Sequence, residues 1–379
     1  MKLLYNIAGT YRPAGMERVL TNKANWFAAH GYEVVIVTTD QKGRKPYFEL
    51  DPAIRCIDLG IGYEDNNGAS LFNKMINYPI KQRRHFKKLK ALLMKERPDI
   101  TISMFCNDVS LIPRIKDGSR KVLEVHFSRF KRLQYGRKGL WGIVDRWRSD
   151  NDVGLAKKFD AFVVLKKEGS WYWETYNIRH IPNARTFENV LPATLDNKKV
   201  ITVGRYSYQK GYDLLIKVWK EVHEQCPDWS LDIVGDGEDR EKLQKMIEEM
   251  DLDGNVCLKH STAQIAKEYQ GASIVVLSSR YEGLPMILLE AQAFGLPIVS
   301  FKCKCGPQDV ITDGKDGYLV AEGDIDGMAE RIVALIKNDT LRREMGKAAL
   351  VASNRYSEEE IMKQWISLFN ELWNGLKGQ

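Results

Sequence analysis

Apolar residues along the chain fall into short unbroken runs, and the stretches between them repeat with helical spacing. Residues 3–7 form the first run and residues 34–38 the second. Between them, residues 17–30 place Val19, Leu20, Ala24, Trp26, Phe27 and Ala28 along one helix face, with Gly31 as a stop. Unbroken apolar runs alternating with amphipathic helices predict strands buried on both faces, hence parallel sheets covered by helices. Runs at 54–59, 100–104, 122–125 and 159–165 complete a first half of six strands. Residues 81–97 and 168–177 read as helices, and 60–70 as a mobile loop.

After a polar stretch at 192–199, read as a linker, the alternation restarts. Strands are expected at 200–203, 231–234, 256–259, 272–277, 298–301 and 317–320. Helices are expected at 212–226, 239–250, 286–294 and 325–337, with a closing helix over 359–376. The expected fold is α/β. Two Rossmann-like, doubly wound domains occupy residues 1–190 and 191–358, and residues 359–379 carry the closing helix.

A length of 379 residues with 44% hydrophobic and 28% charged content suits two globular domains. No apolar run approaches the length of a membrane span, and the N-terminus enters a strand with no signal-peptide pattern. A cytoplasmic protein is expected. Four of the cysteines are scattered, while Cys303-Lys304-Cys305 lacks the second pair a zinc site would need and reads as reduced loop thiols. The triplets Asp251-Leu252-Asp253 and Asp324-Ile325-Asp326 follow no apolar strand, so they read as a loop and a helix start, and no metal is expected. Charge is unequally shared. Residues 1–190 carry 34 Lys and Arg against 20 Asp and Glu, and the remainder 23 against 30. Two basic segments, 81–97 and 129–148, dominate the first half, the second interleaved with Phe130, Tyr135, Trp141 and Trp147. Such a surface meets an anionic partner: nucleic acid, anionic lipid headgroups or a lipid diphosphate.

The most informative stretch is 278–300, SSRYEGLPMILLEAQAFGLPIVS. It reads as the end of a strand, a loop, a helix with Pro285 near its first position, and the next strand. A helix N-terminus offers free N–H groups and partial positive charge to an anion such as phosphate. Gly283 lets a ligand come close to the backbone. Glu282 in the loop and Glu290 in the helix are suited to accept from vicinal hydroxyls of a ribose or hexose. Phosphate flanked by hydroxyl-binding carboxylates describes a nucleotide-sugar site. The loop after the first strand, with Pro13-Ala14-Gly15-Met16-Glu17, lacks the dinucleotide fingerprint, which disfavours a dehydrogenase. His126 ends a strand, where α/β domains place ligands.

Glu282-Gly283-Leu284-Pro285 with Glu290 resembles the E-x7-E signature of glycosyltransferase family 4. Residues 204–211, GRYSYQKG, are similar to that family's donor-diphosphate motif, with Arg205 and Lys210 matching its cations. Ala14-Gly15-Met16-Glu17 resembles its N-terminal glycine-rich loop, with Ala14 in place of the first glycine. The resemblance implies a GT-B fold with the two domains facing a cleft, and a retaining, metal-independent glycosyltransferase with no cofactor beyond the nucleotide-diphosphate sugar. It implies Arg205 and Lys210 on the diphosphate, Glu290 on the ribose and Glu282 on the sugar. Gly283 and Leu284 would offer backbone amides, Gly15 would lie against the donor, and His126 would lie near the reacting sugar or acceptor hydroxyl. A uridine base is the family's common choice. The implied acceptor is a saccharide, lipid-linked, in surface polysaccharide synthesis, with the enzyme peripheral to the membrane and nucleic acid not a partner. The last helix is implied to pack on the first domain. A nucleotide-sugar epimerase of the same fold and a nucleic-acid binding protein remain alternatives; a phosphorylase would need a lysine for a pyridoxal cofactor, and none is identified.

Overall fold

The computed structural model describes residues 1–66, 71–127, 139–165, 173–303 and 306–377. By its contacts the chain divides into two units, Met1–Pro182 with Met362–Gln379, and Asn183–Ile361.

The first unit is built on parallel strands Lys2–Ile7 (β1), Glu33–Thr38 (β2), Arg55–Asp58 (β3), Ile100–Ser103 (β4), Arg120–Val125 (β5), Ala161–Val164 (β6) and Ile178–His180 (β7). Their order is β3-β2-β1-β4-β5-β6-β7. Leu4 pairs with Val35 on one side and Thr101 on the other, so the chain reverses its direction of travel across the sheet at β1. Helices Gly15–Ala29 (α1), Leu71–Glu96 (α2) and Leu140–Ala156 (α3) cover the sheet. Leu89 and Leu93 of α2 pack with Leu4, Val35 and Leu123 on one face. The C-terminal helix, Glu358–Lys377, reaches this unit through its later turns, where the Phe369 ring lies 5.5 Å from Phe27 of α1.

In the second unit the parallel strands are Lys199–Val203 (β8), Ser230–Val234 (β9), Val256–Lys259 (β10), Ile274–Leu277 (β11), Ile298–Phe301 (β12) and Gly317–Val320 (β13), in the order β10-β9-β8-β11-β12-β13. Helices Tyr212–Gln225 (α4), Arg240–Glu249 (α5), Ile265–Gln270 (α6), Met286–Ala293 (α7), Pro307–Val310 (α8), Ile325–Lys337 (α9) and Asp339–Ser353 (α10) link and flank them. The core gathers Trp219, Leu215 and Ile216 of α4 with Ile233, Ile274 and Val299 of the sheet and Ile332 of α9. Each unit therefore has the doubly wound order, with its switch point beside its first strand, between β1 and β4 and between β8 and β11.

Several expectations are corrected. Helix α1 begins at Gly15 rather than Glu17, because Ala14 is already extended and Gly15 turns into the helix. Pro285 stands directly before α7, with φ −72° and ψ 108°, beside the first helical position as expected. Residues 63–66 form a helical turn held by Glu64, which pairs with Arg12 at 2.5 Å and Arg44 at 3.3 Å; residues 67–70 lie outside the described ones. Helix α2 starts ten residues before the expected position and carries Pro79 within it. Of the helix expected at 168–177, residues 168–172 lie outside the described ones and 173–177 are not α-helical. Residues 129–138 and the pair Lys304 and Cys305 also lie outside them. Residues 183–190, expected with the first domain, pack in the second unit. Arg185 donates to Ser353 Oγ at 2.7 Å, and the Phe187 ring lies 5.2 Å from Phe294. Residues 192–199 are no free linker: the Ala193 N–H donates to Phe294 O at 2.9 Å and Leu195 is buried. Asp324 does start a helix, its side chain accepting from the Gly327 N–H at 3.0 Å. Among the described residues no helix is long and apolar enough to cross a membrane.

Candidate active site

The loops leaving the carboxyl ends of β8 and β11 flank the second unit's switch point, where doubly wound sheets open a crevice. Residues 204–211 carry Arg205 and Lys210, and residues 278–285 carry Glu282, Gly283 and Leu284. The two loops are tied together along their length. Gln209 Nε2 donates to Tyr281 O at 3.0 Å, the Arg280 N–H to Gln209 O at 2.8 Å, and Ser278 Oγ to Lys210 O at 2.9 Å. Arg280 forks onto Asp213 of α4 at 2.8 and 2.7 Å and lies 4.2 Å from the Tyr208 ring centroid. Burial opposes ionisation of Asp213, and the Arg280 bonds overcome it, so this carboxyl titrates below its ordinary value. Gly211 is left-handed at φ +65°, and a Cβ there would lie 2.2 Å from Ser278 O, so only glycine allows the loops this approach.

Lys210 and Glu282, 72 positions apart in the chain, meet at this seam. Lys210 Nζ donates to Glu282 Oε1 at 2.7 Å, with the side chains 17% and 7% exposed. Ser279 Oγ donates to the same oxygen at 2.6 Å. The resemblance implies different parts of a ligand for these two groups; the structure brings them into contact with each other. Arg205 stands apart, exposed, and pairs with Glu238 at 2.9 Å. Gly283 O faces Gly306, where a Cβ would come within 2.7 Å of it, and Leu284 is buried. Helix α7 has no side-chain cap at its start; its Leu288 N–H donates to Pro285 O at 3.0 Å, and an uncapped helix start is suited to hold an anion.

Glu290 lies on α7 and its carboxylate is held at both ends. Oε1 accepts from Thr186 Oγ1 at 2.9 Å and Oε2 from the Tyr269 hydroxyl at 2.7 Å. Thr186 and Tyr269 are functional neighbours that the sequence reading missed. Neither stands in a motif, and only the fold brings 186, 269 and 290 together. Beside the crevice, Asp236 after β9 accepts from the Ser261 N–H at 2.9 Å and faces His260 Nδ1 at 2.6 Å. Bonds from the Ser261 hydroxyl, then His260, hold its carboxyl down at about 2. This fixes the start of the loop after β10. Close packing of the neighbouring turn is set by Gly235, where a Cβ would meet Gly204 O at 2.0 Å.

The first unit holds the other two expected site residues. Gly15 is exposed at the start of α1, with open space where a Cβ would go and no side-chain cap beside it. His126 follows β5, its side chain 9% exposed and its Nε2 3.1 Å from Glu124 Oε1. Among the described residues no three His, Cys, Asp or Glu side chains group as metal ligands.

Residues 183–351 match the family described as glycosyl transferases group 1. The chain is 37% identical to the amylovoran biosynthesis glycosyltransferase AmsD of Erwinia amylovora, over 97% of this chain and 99% of that protein. It is 30% identical to an uncharacterized glycosyltransferase of Haemophilus influenzae, over 93% and 95% of the two. Among solved structures, a mutant of S. aureus TarM in complex with fondaparinux, alpha-GlcNAc-glycerol and UDP superposes with a TM-score of 0.79 at 20% identity, over 97% of this chain and 99% of that one.

The Lys210–Glu282 pair makes a stability prediction. Lys210→Met leaves a buried carboxylate without its cation, and urea unfolding at pH 7 should show a loss of about 3 kcal/mol. The double variant Lys210→Met/Glu282→Gln should recover most of it. A single variant as stable as the double one would mean that the pair is not coupled.

Proposed function

The chain belongs to the group 1 glycosyltransferases, and within that family we propose a retaining, family 4 enzyme that moves a sugar from UDP to a saccharide acceptor without a metal. The observation that carries this reading is the meeting of Lys210 and Glu282 beside the uncapped start of α7 at one switch point, with Arg205 exposed on the same loop as Lys210. That set suits a diphosphate with a sugar attached. The UDP donor is supported by the TarM complex, and the role in surface polysaccharide synthesis by the amylovoran enzyme.

In this reading the diphosphate enters against Lys210 and the α7 N-terminus, and Lys210 turns from Glu282 to the phosphate. Glu282 then accepts from the sugar hydroxyls, and Glu290, already oriented by Thr186 and Tyr269, accepts from the ribose. The bond from the anomeric carbon to the phosphate oxygen breaks, and charge grows on the departing UDP. Arg205 and Lys210 stabilise that charge, each charge-assisted hydrogen bond contributing about 1.5–3 kcal/mol. The acceptor oxygen bonds to the anomeric carbon from the face UDP leaves, and its proton passes to the departing phosphate. His126 and Gly15 serve the acceptor side. An epimerase of the same fold would interconvert UDP-sugars rather than release UDP.

The test uses water as acceptor. With EDTA present, the native chain should release UDP from UDP-glucose or UDP-N-acetylglucosamine, and proton NMR should show the α-anomer of the sugar first. Glu290→Gln should raise the donor KM about tenfold or more. A β-anomer first would remove the retaining mechanism. An absence of UDP release from every UDP-sugar tried would remove the donor assignment.

A peripheral membrane seat is part of the proposal. Ile76, Tyr78 and Ile80 of α2 and Ile143 and Trp147 of α3 are exposed. Arg148 of α3 acts electrostatically on Tyr78, so the two helices are neighbours there. Exposed Arg83, Arg84, Lys87 and Lys90 follow Ile80 on α2, and exposed Arg146 and Arg148 flank Trp147 on α3. Exposed apolar side chains on helices this rich in cations fit an anionic bilayer surface, each cation adding about 1 kcal/mol. Vesicles containing phosphatidylglycerol should co-float with the native chain, and Ile80→Ser/Trp147→Ser should lose most of that binding. Equal flotation of the variant, or native binding to neutral vesicles alone, would remove this seat.

A further inference from the structure

Behind His126 lies a charge pair that no pattern in the sequence announces. Lys23 of α1 and Glu124 of β5 are 2% and 1% exposed. Lys23 Nζ stands 2.6 and 2.5 Å from the two Glu124 oxygens. The same Nζ lies 3.9 Å from the ring centroid of Trp365, a buried residue of the C-terminal helix, and 5.7 Å from that of Tyr5 on β1. The Tyr5 hydroxyl is buried with no hydrogen-bond partner. Glu124 and His126 are two positions apart along an extended chain, so they project from the same face. Glu124 Oε1 is the oxygen 3.1 Å from His126 Nε2, at an angle that does not yet make a hydrogen bond.

A buried ion pair is a poor way to gain stability, since apolar side chains of the same volume do as well or better. Lys23 nevertheless receives a cation–π contact with Trp365 in addition to the carboxylate, which offsets part of its desolvation. The pair sits where it fixes a carboxylate against the one side chain of this unit expected at the reaction. We propose that Lys23 and Glu124 are positioning residues for His126, Lys23 holding the carboxylate in place and the carboxylate selecting which ring nitrogen carries the proton. The Glu124 charge 3.1 Å from Nε2 favours the tautomer with the proton on Nε2, and Nδ1 is left to accept from a hydroxyl of the saccharide other than the one that reacts. Burial opposes ionisation of Glu124 and Lys23 overcomes it, which keeps this carboxyl at about 2 and charged at every working pH. The role of the pair rests on the reading of His126 given above. Through Trp365, it also makes the C-terminal helix a support of that residue.

The experiment is a ring-nitrogen NMR titration of the full chain labelled in its six histidines, with His126→Ala supplying the assignment. Glu124→Gln alone strands a buried ammonium and can fail to fold. The deciding variant is therefore Lys23→Met/Glu124→Gln, which removes both charges at similar volume. In the native chain His126 should show one tautomer, with Nδ1 unprotonated. The double variant should keep its melting temperature and mix the tautomers. Its turnover of UDP-glucose should fall at least tenfold at unchanged donor KM, and Lys23→Arg should retain native turnover. Native tautomer and native turnover in the double variant would overturn the proposal. Unaltered turnover in His126→Ala would instead remove the reading of His126, and the tautomer result would still decide whether the pair positions the ring.

Discussion

Lys210 and Glu282 stand 2.7 Å apart at the seam between two loops, and the arrangement of the second unit follows from keeping that seam closed. Strand order reverses beside β8, so the chain leaves β8 and β11 on opposite sides of a gap. Backbone bonds, the Arg280 fork and the left-handed Gly211 draw the two loops together across it. A cation and a carboxylate are thereby brought into contact in a place with little water. Each charge offsets the other's burial, so the pair is a strut of the fold.

The first unit solves a related problem with a deeper pair. Lys23 and Glu124 come from a helix and a strand on one face of the sheet, and the C-terminal helix closes over them with Trp365. Both units thus place charge at the carboxyl ends of their strands. One pair lies nearer the surface, with side chains 17% and 7% exposed. The other is sealed and serves only what stands in front of it. Glu290 falls between the two cases, half-buried and already bonded at both oxygens, so a ribose would meet a carboxylate whose orientation is settled.

Much of the fold is legible in the chain because a strand buried on both faces must be apolar throughout. Runs such as Val34 to Val37 and Val275 to Val276 can hardly be anything else. Among the elements missed are those whose burial leaves no period. Helices α6 and α8 have six and four residues, too few for a repeat, and β7 has three. Two long helices were missed as well, α3 with 17 residues and α10 with 15, so length alone does not account for the omissions. The start of α1 was misplaced because Gly15 is a poor helix former that backbone geometry alone places in the first turn. Glu282 and Glu290 could be picked out from their strand–loop–helix setting together with a resemblance to a family signature, and Arg205 and Lys210 from that resemblance alone. Partners that meet only through the fold could not. Lys210 and Glu282 are 72 positions apart, Thr186 and Glu290 are 104, and Lys23 and Glu124 are 101. Thr186, Lys23 and Glu124, taken singly, look like ordinary surface or core positions.

The central claim is that the second unit grips the diphosphate of a uridine nucleotide with its own cations and an uncapped helix start. Calorimetric titration of the native chain with UDP and then with UMP, first in EDTA and then with magnesium, tests it most directly. The account predicts binding of UDP in EDTA, no gain from magnesium, and at least tenfold weaker binding of UMP, which lacks the second phosphate. UMP binding as tightly as UDP, or UDP binding only with magnesium, would contradict it.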